Sequence, residues 1–348
     1  NILMKIESDQ KLDFNNVLIR PKRSTISSRS QVTLERTFSF PHSTTTWTGI
    51  PIISANMDTT GTFGVYDVLS QHKMITCLNK FYTLTDYKNR WEKDGLLNPE
   101  YFMISTGINE DEFDTLSQIV EYTKCKWLCI DIANGYIKNL VTFCDKCRTR
   151  WPDMIIVAGN IATREMVEEL VLNGKVDIVK VGIGPGSACL TRLKTGVGMP
   201  QLSAIMECSD AAHGVNGYII GDGGITSPGD MSKAFGGGAD FVMMGGVFAG
   251  HDENPGELIE ENGEKYKLFY GMSSNHAMNK HYGEMAKYRS SEGRILKVKY
   301  KGSLESTILD YLGGLRSACT YINAKYIKHI PKCTTFVIVS QQLNNCFN

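Results

Sequence analysis

Eight short apolar runs, strung at regular intervals between residues 50 and 246, constrain this chain more than any other feature. They are IPIISAN (50–56), KMITCLN (73–79), YFMISTG (101–107), WLCIDIAN (127–134), MIIVAGN (154–160), VDIVKVGIG (176–184), GYIIGDGG (217–224) and ADFVMMGG (239–246). Most are rich in Ile, Val and Met without polar alternation, the pattern of a parallel strand covered on both faces. Segments of helical character lie between them, among them DEFDTLSQIVEYTK (111–124), TREMVEELVLNG (163–174) and SPGDMSKAFGGG (227–238). Thr163 reads as a helix start and Gly174 as its stop. Ser227 and Pro228 read as the cap and first turn of the next helix. Strand–helix alternation repeated eight times predicts an α/β fold, a (β/α)8 TIM barrel. The other architecture is an open doubly wound sheet, but no GxGxxG turn opens its first unit.

Barrels of this kind commonly run to 348 residues as one domain, so residues 1–348 are expected to form a single catalytic domain. Two segments fall outside the eight units. Residues 11–47 form an N-terminal extension that includes the basic stretch RPKRSTISSRS (20–30). Residues 250–300 form a long excursion after the eighth run, with a hairpin-like piece, ENGEKYKLFYGMSS, and a charged piece, YRSSEGRILKV. Long excursions from compact domains are usually lids or disordered. The last helix is expected at 304–322.

Lys+Arg and Asp+Glu both number 37, so no general attraction to nucleic acid or anionic membrane is expected. No apolar run approaches the ~18 residues of a membrane span, and NILMKIESDQKL lacks the apolar block of a signal peptide. The 10 cysteines sit largely inside strand-like or helix-like runs, so a disulfide framework is not expected and a reduced, cytoplasmic setting is. Cys125-x3-Cys129 with Cys144-x2-Cys147 has zinc-like spacing. Zinc would want these thiols on converging loops, whereas Cys129 lies in an apolar run, so they read as structural thiols.

Nearly every strand ends in Asn, Asp, Gly, Ser or Thr, and in a barrel these ends meet at the face that carries the active site. The central motif is KVGIGPGSACLTR (180–192), a strand ending in a glycine-dense loop that carries Cys189. Glycines let backbone amides approach a ligand, oriented N–H groups favour a thiolate nucleophile, and Thr191 can shuttle a proton. The bland alternative is a tight turn with an incidental cysteine. Asp222-Gly223-Gly224 and Gly245-Gly246 follow strands seven and eight, where barrels often bind phosphate, and Asp222 would accept hydrogen bonds from ribose hydroxyls. Glu292, in Arg289-Ser290-Ser291-Glu292-Gly293, becomes an acid/base candidate only if its loop folds over the cysteine. The histidines are uninformative: nothing places His251, His276 or His281 near Cys189.

KVGIGPGSACLTR, DGGITSPGD, ADFVMMGG, FYGMSS and the opening KLDFNNVLIRPKRS resemble the IMP dehydrogenase/GMP reductase family, from about Lys11 to the end of the chain. Dehydrogenases of the family usually carry a CBS insert after the second βα unit, and Lys80 to Tyr101 leaves no room for one. No dehydrogenase flap with an Arg-Tyr pair is found, while Cys189-x-Thr191-Arg192, TGVGMPQLSA and YRSSEG resemble the reductase branch. The resemblance implies NADPH-dependent reductive deamination of GMP to IMP and ammonia, with Cys189, Thr191 and Glu292 catalytic. A dehydrogenase without the insert, or a non-catalytic nucleotide-binding barrel, remain the alternatives.

The resemblance also implies binding residues. Ser187, Asp222, Gly223, Gly224, Gly245, Gly246 and Tyr270 match the phosphate and ribose site. Gly271, Met272, Ser273, Arg289, Ser290, Ser291 and Gly293 match contacts to the rest of the substrate. Ser28, Arg29, Lys80, Asp131, Ile132, Ala133, Ile183 and Gly184 match the cofactor side. Ser317, Ala318, Cys319 and Thr320 are expected to reach a neighbour's cofactor in a homotetramer. Backbone carbonyls of Gly184, Gly186 and Cys189, with Arg192 alongside, match a potassium site. Leu190, Asn79 and Phe81 depart from the residues frequent in the family.

Overall fold

Each of the eight apolar runs becomes a strand of one closed parallel barrel in the computed structural model, which describes residues 4–271, 275–282 and 293–340. In chain order the strands are β1 (Ile52–Ser54), β2 (Ile75–Leu78), β3 (Phe102–Thr106), β4 (Trp127–Asp131), β5 (Ile155–Ile161), β6 (Ile178–Val181), β7 (Tyr218–Asp222) and β8 (Phe241–Met244). β8 pairs in parallel with β1, with Met243 opposite Ile53, which excludes the open doubly wound sheet.

The lack of polar alternation has a direct cause: each strand feeds two cores. On β4, Trp127 and Cys129 face the barrel interior, while Leu128 and Ile130 pack against the surrounding helices. On β6, Ile178 faces inward and Val179 and Val181 face outward. This period of two also sets which residues at the strand ends point into the mouth.

The expected helices form at Phe113–Thr123, Arg164–Leu172 and Pro228–Gly236. Ser227 caps the last of these, its hydroxyl accepting from the Asp230 N–H at 3.2 Å. Thr163 occupies the N-cap position, but its hydroxyl pairs with that of Tyr136 rather than with a helix N–H, and the helix ends at Leu172, ahead of Gly174. The helix expected at 304–322 forms at Leu304–Ile322.

The N-terminal extension closes the barrel floor. Strands Arg36–Ser39 and Thr46–Gly49 form an antiparallel hairpin, and Phe38, Phe40 and Trp47 rise from it into the interior core. Phe38 stacks on Phe241 at 4.4 Å between ring centroids, and Trp47 meets Trp127 edge-on at 5.5 Å. The Trp47 indole N–H donates to the Glu100 carbonyl at 2.8 Å. Replacing Trp47 with Ala is expected to lower the unfolding free energy by about 3–5 kcal/mol. Urea unfolding checks this, and a variant as stable as the parent would show that the hairpin is not a structural plug. Further along the extension, Val17–Ile19 pairs antiparallel with Phe336–Ile338.

The excursion after β8 is more than the expected hairpin. Ile259–Glu261, Glu264–Tyr270 and Ile295–Lys299 form a three-stranded antiparallel sheet, with a helix at Asn275–Tyr282. Its ends are tied together where Lys301 N–H donates to the Gly250 carbonyl at 2.9 Å and Asp252 N–H to the Gly302 carbonyl at 3.0 Å.

The zinc-like cysteines are split by the sheet. Cys129 points into the barrel, whereas Cys125, Cys144 and Cys147 lie in the outer core. All four are buried free thiols, and no candidate metal-holding group of His, Cys, Asp and Glu occurs among the described residues. Among those residues no helix is long and apolar enough to cross a membrane.

Candidate active site

The strand ends open into one cavity of about 1010 Å³ at the C-terminal mouth of the barrel, opposite the plugged floor. It brings together Ser187, Cys189 and Thr191 after β6, Asp222, Gly223 and Gly224 at the end of β7, and Gly245 and Gly246 after β8. Lys80, Asp131, Ile132, Ala133, Ile183, Gly184 and Gly186 line the same space, as do Gly271 and Gly293 from the excursion. Residues from Lys80 to Gly246 thus share one mouth because they stand at the ends of barrel strands.

The loop after β6 is built for close approach. Gly184 has φ +84, and a Cβ there would meet the Arg192 side chain at 2.7 Å, so this position requires glycine. A Cβ on Gly223, at φ +88, would stand 3.3 Å from the Gly186 amide nitrogen, which shows how closely the β7 loop abuts the cysteine loop. Cys189 N–H donates to the Gly186 carbonyl at 3.0 Å, and the Cys189 thiol lies 3.2 Å from the Thr191 hydroxyl oxygen. Cys189 is half-buried. Burial pushes the thiols of Cys125, Cys147, Cys208 and Cys319 up to about 12, which keeps them protonated and inert. Arg192 is not part of the cavity lining: its guanidinium donates to the Met199 carbonyl at 2.8 Å and pairs with Asp13 at 3.3 Å.

Deeper in the mouth lies an ionic group with Lys180 at its centre. Its ammonium sits 2.9 Å from Asp131 Oδ1 and 2.8 Å from Asp222 Oδ2. Asn56 donates to Asp131 Oδ2 and Asn160 to Asp222 Oδ2. Burial alone would raise the Asp131 carboxyl, but the Lys180 charge and the Asn56 hydrogen bond prevail and hold it below the usual range. Burial likewise opposes the charge on Lys180, and the two carboxylates prevail, holding it well above the usual lysine range. Sequence reasoning misses Lys180. The signal is present, since it is the one cation in the apolar run VDIVKVGIG, two residues after inward-facing Ile178.

The excursion leans over this mouth. Gly293 forms an antiparallel bridge with Cys189, Arg294 N–H donates to the Ala188 carbonyl at 2.9 Å, and the Arg294 guanidinium donates to the Ser187 carbonyl at 2.7 Å. Met272, Ser273, Arg289, Ser290, Ser291 and Glu292 lie outside the described residues. On the other side, buried Asp58 accepts from Tyr270 Oη at 2.9 Å, Lys280 Nζ at 3.0 Å and His281 Nε2 at 2.7 Å. The His281 ring stacks on Phe81 at 3.5 Å, next to Lys80.

Tyr270 departs from its expected place. Strand alternation directs Phe269 and Gly271 into the cavity and turns the Tyr270 side chain away, onto Asp58. The family departures have structural partners. Asn79 is buried, donating to the Gly61 carbonyl and accepting from Phe81 N–H, which shapes the loop beside Lys80. Of the histidines, His251 bonds Thr307 and His281 bonds Asp58, and none among the described residues lines the cavity.

The remaining cofactor-side residues are not brought to this mouth within one chain. Ser28 and Arg29 belong to a short 3-10 segment packed against the helix Leu304–Ile322, outside the cavity lining. Ser317, Ala318, Cys319 and Thr320 lie in the last two turns of that helix, and none of them lines the cavity. Cys319 is fully buried.

Residues 11–344 match the model of the IMP dehydrogenase / GMP reductase domain. The chain is 54% identical over 349 residues to the GMP reductase of Yersinia pestis (strain Pestoides F), covering 99% of each chain. The same identity and coverage hold for the GMP reductase of Yersinia pseudotuberculosis serotype O:1b (strain IP 31758).

Proposed function

The chain belongs to the IMP dehydrogenase/GMP reductase family, and from that premise we propose that it is a GMP reductase, an oxidoreductase of purine metabolism that converts GMP to IMP and ammonia with NADPH. One juxtaposition carries the mechanism. A half-buried thiol stands 3.2 Å from a hydroxyl, in a glycine loop bridged by the residue that follows Glu292 in the chain.

The amino group on purine C2 is a poor leaving group, so covalent addition and protonation divide one hard step into easier ones. Cys189 sulfur, as thiolate, bonds to C2 while the C2–N bond breaks, leaving a thioimidate. Thr191 and Glu292 relay the proton with which the amine leaves as ammonia. Bound in the other half of the mouth, NADPH would supply a hydride for C2, and Cys189 would depart from C2 as thiolate. Ser187 and the glycine pairs 223–224 and 245–246 hold the phosphate with backbone amides, and Asp222 accepts from ribose hydroxyls. Gly271 and Gly293 border the substrate, and Met272, Ser273, Arg289, Ser290 and Ser291 complete its surroundings.

The cofactor fits the other half of the mouth. Asp131 offers a carboxylate, Ile132, Ala133 and Ile183 an apolar wall, and Lys80 a cation for an anionic group. In a homotetramer, Ser28, Arg29, Ser317, Ala318 and Thr320 reach a neighbouring mouth, whereas Cys319, buried in its own chain, contributes at most its backbone. A potassium ion at the carbonyls of Gly184, Gly186 and Cys189 belongs to the same proposal, since neutral carbonyl oxygens suit that ion and Arg192 braces the loop. Replacing potassium with sodium in the assay tests this.

The defining experiment follows NADPH absorbance with GMP and measures released ammonia. Turnover of IMP with NAD, and none of GMP, would assign the dehydrogenase instead. Thr191→Val is expected to lower kcat about 10²-fold or more with a small change in the KM for GMP, because the hydroxyl acts on the departing proton rather than on binding. A larger effect on KM than on kcat in steady-state kinetics would contradict the relay.

A further inference from the structure

Among the described residues, Lys180 lies at the one point of the mouth that touches both halves just described. It is 3% exposed and rises from the middle of β6, an inward position one layer above Ile178. Its ammonium lies within 3 Å of Asp131 on the cofactor side and of Asp222 on the nucleotide side. Asn56 donates to the other Asp131 oxygen, while Asn160 donates both to the Asp222 oxygen that Lys180 holds and to the Gly182 carbonyl at the foot of the cysteine loop. We propose that Lys180 is a positioning residue that couples the two binding sites, by holding the nucleotide-side and cofactor-side carboxylates at fixed directions across the barrel axis.

The physical case has three parts. Two half-buried carboxylates bonded to one ammonium repel each other once that ammonium is removed. Each would then turn away or take up a proton, and either response spoils its aim at a sugar hydroxyl. A buried lysine placed only to fill space would be expensive, because charge is costly to bury without partners. Finally, nothing else among the described residues joins the two acids: Asn56 and Asn160 each reach only one of them. The inference rests on the proposed GMP and NADPH sites and adds to them a residue that touches neither ligand in the argument but acts through both acids.

The test is a set of variants read by separate KM values for GMP and NADPH. Lys180→Met is expected to raise both KM values by about tenfold. Adding Asp131→Asn to Lys180→Met removes the repulsion and is expected to bring the GMP KM back to within about threefold of the parent, although Asp131 lies on the cofactor side. A space-filling lysine predicts no such recovery. KM values unchanged in Lys180→Met, or a GMP KM that Asp131→Asn fails to restore, overturn the proposal. If Lys180→Met does not accumulate folded, Asp131→Asn, Asp222→Asn and their double variant take its place. Coupling through the stranded ammonium requires the double variant to lose more than the product of the single losses, and simple multiplication overturns the proposal. A parent protein that fails to turn over GMP with NADPH would instead remove the functional reading itself.

Discussion

Cys189→Ala is expected to lower kcat for GMP on the order of 10⁵-fold or more, while GMP still binds within a few-fold of the parent affinity. The asymmetry follows from where the thiol stands. In the proposed complex the phosphate and ribose lie against the loops after β7 and β8 and Ser187, all of which line the cavity and none of which depends on the sulfur. The sulfur contributes a bond that exists only along the reaction path, so its removal deletes the path rather than the complex. The other described cysteines do not stand in for it: Cys77, Cys125, Cys129, Cys144, Cys147, Cys208 and Cys319 are buried, and Cys333 lies outside the cavity. Steady-state kinetics with calorimetric GMP binding checks both halves. A variant that retains roughly a tenth of the parent rate would end the covalent mechanism, and one that loses GMP binding would make Cys189 a structural residue.

Asp222→Ala is expected to lower kcat/KM for GMP by about 10³-fold, mostly through KM. Two losses combine. The ribose hydroxyls lose their carboxylate acceptor. Lys180 and Asn160 lose a shared partner, so an ammonium and an amide donor are left short of acceptors in the mouth. A 10³-fold loss corresponds to about 4 kcal/mol of lost transition-state binding, divided between the missing acceptor and the disturbed ionic group. Asp222→Asn retains an oxygen acceptor and is expected to fall between parent and Ala. An Ala variant with an unchanged GMP KM would show that Asp222 does not face the nucleotide.

Much of this molecule is legible in its amino-acid sequence. The eight strands are readable because each must be apolar on two faces, a demand that leaves no room for polar alternation. The polar strand ends are readable as a site because in a barrel all of them lead to one mouth. Cys189 stands out among ten thiols by its glycine loop, and the fold places it in the cavity lining beside Thr191. Lys180 escapes notice because the prevailing character of its strand is apolar, and one charge within it has no local meaning until its partners are known. Those partners lie 49 and 42 positions away, on β4 and β7.

The sequence alone, through local period and turn chemistry, determined the barrel, the order of its strands, the last helix and the glycine loop that carries Cys189. Relations between segments that are remote in the chain were decided only by the tertiary structure. It turned Tyr270 from the cavity onto Asp58, because alternate residues of one strand point to opposite sides. It laid Gly293 against Cys189, a bridge across 104 residues that no spacing rule supplies. It left residues 317–320 outside the lining of their own mouth, on a helix that packs against the N-terminal extension. Above all it gathered Asp131, Lys180 and Asp222 at one point, because inward positions on strands that curve around a common axis meet in space however far apart they stand in sequence.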